Sequence, residues 1–497
     1  MRGFKADGTV RPSSMDAEAD RLGALEKAES YLQSRIRREG NRTRPLTVGD
    51  SRQRGLDRLR RMMNLLKDLG DPHLEYPVVH VAGTSGKGSV STMVAAIVRS
   101  AGLRTGLHVT PYLQTPLEKL VVNDRLATPE EFWDLVEWFK SRIKGAAADG
   151  RTIEARYGST WVALTFEYFR RAAVELAVIE AGAGGRYDLT NVVSPAVAAV
   201  TSVGLDHVLS LGPTIDDIAD HKAGVFKKGV PAIAIDSGDR AFATLESRAL
   251  SVGAIFRPVR PGIDYWPVSG DPRWPRLTYR GRNFEVTAAE IGLRGAHQVD
   301  NGAVACAIAD VLVDEGYPIS QTSVLAGLRR ATLAGRLEIL RGAPEIVLDG
   351  AHNPDKAAAL ASALEALRDG RRLSLVLGVL GYKSANGIVA ELAQVADFIV
   401  VTEPRVYMKA ALPAEELGRI VKSVGVRFAV RPNSDDAFET AVEWAGPNGV
   451  VCVSGSLYLV GNLRERWYPS SAISLQSTQW PVQPEYIARP TPGGQLG

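Results

Sequence analysis

The sequence predicts an α/β protein of two units: a larger, P-loop-type, mostly parallel sheet, then a smaller α/β unit. Three observations carry this. Apolar, strand-like runs alternate with helical patterns through both halves of the chain. A glycine-rich turn at Gly83–Ser89 sits between an apolar strand and an amphipathic helix. The length of 497 residues exceeds what one hydrophobic core usually supports.

Taken in order, residues 1–20 are polar and contain Gly, Ser and Pro, and read as a flexible N-terminal segment. The first unit, residues 21–330, has strands expected at 78–82, 105–109, 176–180, 196–202 and 230–235. Helical patterns at 130–144 and 160–172 supply crossovers between parallel strands. Residues 262–291, with short segments, prolines and tryptophans, predict an antiparallel addition at the edge of this unit, and residues 298–315 a helix. The boundary is expected around 326–335. The second unit, 331–466, has strands expected at 345–348, 373–377, 398–401, 427–430 and 450–453, with helices at 355–367 and 385–395. Residues 467–497 are rich in Ser, Gln and Pro without periodicity and predict a tail.

Composition narrows the function classes. Apolar residues at 45% and charged residues at 23% suit an ordinary globular chain, and the net charge of +3 is small for its length. No basic patch is interleaved with aromatics, so no nucleic-acid partner is expected. No segment has the apolar length of a membrane span, and the first residues lack the apolar stretch of a signal peptide. A cytoplasmic protein without a membrane partner is the expectation. Cys306 and Cys452 each lie in an apolar run and read as buried thiols.

The glycine turn, Gly83-Thr84-Ser85-Gly86-Lys87-Gly88-Ser89, predicts a phosphate-binding loop. Glycines let successive N–H groups turn inward, the helix start adds its positive end, and Lys87 adds a mobile charge. It departs from the common pattern: Val81 stands at the first glycine position, and Gly88 follows the lysine directly. Ligands of open α/β sheets gather beyond the carboxyl ends of the strands. The other strands of the first unit end in Thr110-Pro111, in Glu180-Ala181-Gly182 and in Asp206-His207. Bound ATP requires Mg²⁺, an ion that prefers oxygen, and Glu180 is the leading carboxylate. His207 can serve as a ligand or as a hydrogen-bonding residue. Asp188 and Asn191 are short polar groups in a glycine-entered loop, and either can simply cap the turn. Lys222, on a helix begun near Thr214, reads from its surroundings alone as a surface lysine.

Taken together, these segments resemble the folylpolyglutamate synthase/dihydrofolate synthase family, a branch of the Mur ligases. The resemblance rests on Gly83–Ser89, on Glu180 through Asn191, and on Thr201-Ser202-Val203-Gly204-Leu205-Asp206-His207 with Lys222-Ala223-Gly224. It continues through His297-Gln298-Val299-Asp300-Asn301, Gly335-Arg336-Leu337-Glu338, Asp349-Gly350-Ala351-His352-Asn353-Pro354 and Gly455-Ser456-Leu457-Tyr458. The ordered series covers roughly residues 50–466.

The resemblance implies an ATPase domain followed by a Rossmann-like α/β ligase domain, and it implies roles. Lys87 and Ser89, with Gly83, Thr84, Ser85, Gly86 and Gly88, hold ATP phosphates. Thr110, Glu180 and His207 hold Mg²⁺. Lys222 matches a lysine that is carbamylated, which turns a cation into a carboxylate-like anion. Asn301 stands on the adenine side, Arg336 approaches phosphate from the linker, and Asp349 and His352 serve the ribose and phosphate side. The implied reaction is ATP-dependent addition of L-glutamate to a folate through an acyl phosphate, with dihydrofolate synthesis from dihydropteroate as a second capacity. Since the two domains can complete the cleft, a monomer is expected.

Three departures from the family's pattern stand out, and the third bears on the substrate. Ser85 replaces the family's Asn, and Thr110-Pro111-Tyr112-Leu113 replaces Ser-Pro-His-Leu. Ala155-Arg156-Tyr157-Gly158-Ser159-Thr160 stands where the family carries Thr-x-Phe-Glu, with Ser159 at the glutamate. The alternative is therefore a ligase of the same fold acting on a non-folate carboxylate. A noncatalytic nucleotide-binding protein is disfavoured by candidates in both domains.

Overall fold

A computed structural model describes residues 14–36, 48–150, 153–271, 273–406 and 409–482. The first unit is built on eight strands: β1 (Val78–Ala82), β2 (Thr105–His108), β3 (Val121–Val122), β4 (Arg125–Leu126), β5 (Leu176–Glu180), β6 (Val197–Val200), β7 (Pro231–Ile235) and β8 (Ile255–Val259). Their order across the sheet is β4-β3-β2-β5-β1-β6-β7-β8. From β2 to β8 every neighbouring pair is parallel, while β3 and β4 add an antiparallel hairpin at one edge. The central strands β1 and β5 are buried at every residue, as expected where helices cover both faces. That explains runs such as Leu176-Ala177-Val178-Ile179 with no polar alternation.

The predicted antiparallel addition is a three-stranded sheet of β9 (Tyr265–Val268), β10 (Arg276–Arg280) and β11 (Glu285–Glu290). The second unit has β12 (Glu338–Leu340), β13 (Glu345–Leu348), β14 (Leu373–Leu377), β15 (Phe398–Val401), β16 (Phe428–Val430) and β17 (Val450–Ser454). Their order is β12-β13-β17-β14-β15-β16, with only β12 antiparallel. The molecule is thus an α/β fold of two domains. Cys306 and Cys452 are both buried and free. Among the described residues no helix is long and apolar enough to cross a membrane.

Two expectations at the ends need correction. The N-terminal segment was expected to be flexible through residue 20, yet a helix runs over Ser14–Ser34. Its Leu25, Ala28 and Leu32 fall on one face and are buried in the first domain's core. Residues 1–13 lie outside the described residues. The tail expected from 467 onward holds a helix, Ser470–Gln476, with Ile473 fully buried. The described chain continues to Val482; residues 483–497 lie outside the described residues.

Candidate active site

Because β1 lies between β5 and β6, the loops that follow these three strands emerge side by side. The β1 loop is tied to the β6 loop. Thr84 N donates to Ser202 O at 2.7 Å, Gly204 N to Thr84 Oγ1 at 3.0 Å, and Thr201 Oγ1 to Ser85 O at 2.5 Å. Gly86 has φ +82° just before the helix Lys87–Ser100, and the Asn301 side chain fills the space a Cβ would need. The helix start presents first-turn N–H groups that have no intrahelical acceptor.

Two adjoining cavities open at this edge. One, of about 320 Å³, is lined by Gly83–Ser89, Thr110, Glu180, Asp206, His207 and Lys222 of the first domain. Arg336, His352, Lys356, Lys383, Lys409 and Tyr458 of the second domain close it. The other, of about 370 Å³, is lined by Asn301, His297, Asp300 and Asp349 and by apolar Phe242, Leu245 and Leu360. Ser85, Gly86, Ser89, Arg336 and Lys356 border both. The predicted site residues therefore gather in one cleft, with Asn301 and Asp349 on the second cavity and the remainder on or bordering the first.

The buried carboxylate of Glu180 accepts from Thr110 N at 2.9 Å and lies 3.9 Å from Lys87 Nζ. Burial raises its pKa, an effect that Lys87 opposes. Lys87 Nζ also donates to Gly83 O at 3.0 Å, curling back over its own loop. Lys222 corrects its residue-level reading: it is 3% exposed at the end of the helix Ile215–Lys222. Thr214 caps that helix, accepting from Asp217 N. Burial, reinforced by Lys87, holds the Lys222 ammonium well below the usual lysine range.

His207 has φ +54°, lies at the cavity rim with its side chain 41% exposed, and stands 4.0 Å from Asp206. Burial lowers its pKa. On the opposite side, His352 Nδ1 donates to Gly350 O at 2.7 Å, and its Nε2 is 3.2 Å from Lys356 Nζ. Burial, then Lys87 and Arg336, push Lys356 down to about 7. Both oxygens of Asp349 take backbone donors, Leu337 N and Ala351 N, each at 2.8 Å. Asp349 thereby shapes the turn that carries Arg336.

The donor set fits a polyphosphate. Lys87, Lys222, Arg336, Lys356, Lys383 and Lys409 surround a cavity whose lining carboxylates are Glu180 and Asp206. The buried Ser85 Oγ has no hydrogen-bond partner among the described residues. For a metal the set is sparse: among the described residues no three His, Cys, Asp or Glu side chains form a metal-holding group. A divalent ion there would take most of its ligands from phosphate and water, as Mg²⁺ commonly does.

The sequence placed Asp206 at a strand end without giving it a role, and it did not single out Lys356, Lys383 or Lys409. Lys383 Nζ reaches Asp206 Oδ1 at 2.8 Å, an ion pair across the cleft. Its one sequence signal was its place just beyond β14, at a strand's carboxyl end. Lys356 stands one helical turn beyond His352, past the Asn353 cap.

Residues 81–309 match the Mur ligase middle domain, and residues 335–457 match the Mur ligase glutamate ligase domain. The folylpolyglutamate synthase of Lacticaseibacillus casei is 30% identical over 416 residues, which cover 82% of this chain and 93% of that protein. A probable bifunctional folylpolyglutamate synthase/dihydropteroate synthase of Halobacterium salinarum is 33% identical over 420 residues; these are 81% of this chain but 49% of that protein, so the chain spans about half of its length. Among solved structures, the Mycobacterium tuberculosis folylpolyglutamate synthase complexed with ADP superposes with a TM-score of 0.78 at 28% identity, covering 90% of this chain and 98% of that one. The strand-end loops, the paired cavities and these likenesses agree, and the chain belongs to the folylpolyglutamate synthase/dihydrofolate synthase family of Mur ligases.

Proposed function

We propose that the protein is an ATP-dependent carboxylate–amine ligase that adds L-glutamate to a folate, with dihydrofolate synthesis as a second capacity. The observation that carries this reading is the single cleft in which a glycine loop, a buried glutamate and cations from both domains meet. We read the first domain, 21–330 together with the start of the helix Ser14–Ser34, as a P-loop-type ATPase domain and the second, 331–466, as a Rossmann-like ligase domain, working as a monomer.

When bound, ATP with Mg²⁺ supplies the phosphoryl group that makes a carboxylate a competent acyl donor, and the amine then displaces phosphate to form the amide. The β1 loop holds the phosphates through its N–H groups. Lys87, Arg336 and Lys356 stabilise charge on the transferring oxygens. Glu180, Thr110 and His207 hold the metal, while Asn301 and the apolar wall of the second cavity hold the base. Lys222 is the residue we assign to carbamylation, since burial favours the neutral amine that this modification requires. Approach of the two domains excludes water, which would otherwise consume the activated carboxylate.

One observation favours a second reading, a non-folate carboxylate as acyl donor. Ser159 Oγ accepts from Arg156 N at 2.9 Å and caps the helix Tyr157–Arg171, so no acidic side chain occupies the family's glutamate position. A substrate panel read by product mass separates the two. It offers dihydropteroate, tetrahydrofolate and unrelated carboxylates, each with ATP, Mg²⁺ and several amino acids. A glutamate-sized mass gain on a reduced folate is expected, and a Glu180→Ala arm should need about tenfold more Mg²⁺ for half its maximal rate. Ligation of only a non-folate carboxylate would select the second reading, and an unchanged Mg²⁺ titration would remove Glu180 from the metal.

A further inference from the structure

Behind the cleft, polar contacts from three parts of the chain meet at Arg464, a residue the reading above does not use. Arg464 ends the helix Leu457–Arg464, and its side chain is 1% exposed. Its Nε donates to Glu338 Oε2 and its Nη2 to Glu338 Oε1, both at 2.9 Å. Nη1 donates to Gln114 Oε1 at 2.6 Å, and Nη2 also reaches Gln479 O at 2.8 Å. One guanidinium therefore joins the loop after β2, the first strand of the second domain, and the C-terminal segment.

Glu338 passes this constraint to the cleft. Its Oε2 accepts from Gly335 N at 2.9 Å, and its Oε1 from Trp480 Nε1 at 3.3 Å. Gly335 (φ +68°) and Leu337 (φ +43°) flank Arg336 in a tight left-handed turn. Arg336 itself borders both cavities. On the other side, Gln114 lies on the loop that starts at Thr110, whose N–H meets Glu180. A buried ion pair is a weak source of stability, because desolvation offsets most of the attraction. What the planar, forked guanidinium supplies is fixed geometry.

We propose that Arg464 is a positioning residue: with Glu338 and the C-terminal segment, it fixes where Arg336 stands relative to the Thr110–Glu180 edge. This rests on the ligase reading for its consequence in turnover, but its geometric content is testable by nucleotide binding alone. The test is a double-mutant cycle in the full chain with Arg464→Lys, Arg336→Ala and the pair. A nonhydrolysable ATP analogue is titrated by calorimetry, and kcat is measured on the substrate that the wild type uses. Arg464→Lys is expected to weaken analogue binding about fivefold when Arg336 is present and to have no effect in the Arg336→Ala background. It should also lower kcat about tenfold in the otherwise native chain. Equal losses in both backgrounds, or wild-type binding by Arg464→Lys, would overturn the proposal. If Arg464→Lys does not fold, Trp480→Phe removes one donor from Glu338 while keeping the ring, and about a twofold effect confined to the Arg336 background is expected. An effect of Trp480→Phe that is absent, or that persists without Arg336, counts against the proposal equally. A wild type that binds the analogue but ligates no carboxylate refutes the ligase reading and leaves the binding cycle to decide the role of Arg464.

Discussion

The two rims of the cleft are built differently. The first-domain rim is a set of short strand-end loops stitched by backbone and hydroxyl hydrogen bonds, and it mixes Glu180 and Asp206 with Lys87 and Lys222. The second-domain rim contributes Arg336, His352, Lys356, Lys383 and Lys409, with no carboxylate lining the first cavity from that side. Asp206–Lys383 is the ion pair that bridges them. Like charges on facing rims repel unless an anion lies between them. The second rim therefore offers a polyphosphate a wall of cations, while the first rim already balances much of its own charge with Glu180 and Asp206.

Disarming the first rim should cost the most activity. Lys87→Ala should lower ligation about a thousandfold while leaving the unfolding temperature within a few degrees of the parent. Near-normal product formation would remove the loop from the chemistry. Lys222→Ala should cost about a hundredfold in turnover, because it deletes the position that carbamylation would make anionic. Partial recovery on adding a short carboxylic acid is expected; recovery with a short amine instead would show that the cation itself was needed.

The bridge between the rims offers a smaller effect. Asp206→Asn strands Lys383, whose side chain is 7% exposed, among other cations, and should cost about 2 kcal/mol of stability in the nucleotide-free protein. Lys383→Met should cost less, since it removes a charge from an already cationic cavity. Thermal unfolding without nucleotide checks the order, and the reverse order would show that the rims do not repel.

The smallest effect is a matter of protons. Lys356 is held at about 7 in the fold against 10.5 ordinarily, so between these values the unfolded chain binds the extra proton. Stability from this group therefore rises with pH across about 7 to 10.5, and below 7 the penalty of burying the charged ammonium is fully present. The groups acting on it are Lys87, Arg336, Asp206 and Lys383. A bound polyphosphate restores the ammonium, so nucleotide binding at pH 8 should take up on the order of one proton. Calorimetry in buffers of different ionisation enthalpy reads this uptake. Proton release, or none, would show that the second rim is already charged.

Much of the first rim was legible because its signals are local. A strand, glycines and a lysine in series announce a loop, and a strand ending in Glu180 puts that carboxylate at the same edge. The second rim was only partly legible. Arg336 and His352 were found through family resemblance, whereas Lys356, Lys383 and Lys409 acquire meaning only when one domain docks on the other. The terminal helices were missed for a different reason. Their polar stretches masked a few well-spaced apolar residues, Leu25, Ala28 and Leu32 at one end and Ile473 at the other. The hairpin of β3 and β4 was also missed, although Asn123 and Asp124 at φ +51° and +64° form the two-residue turn that such residues favour.

Gln479 and Trp480, which meet Arg464 and Glu338, are among the last described residues to leave the ribosome. Synthesis runs from the N-terminus, and domains commonly fold as they emerge. The first sheet is complete at Val259 and the second at Ser454, before either of these partners exists. Each half can settle around its own core while the junction behind the cleft still lacks two of its contacts. The last ties of that junction then close after both sheets are complete, on top of earlier links between the halves such as Gln114–Arg464 and Asp206–Lys383.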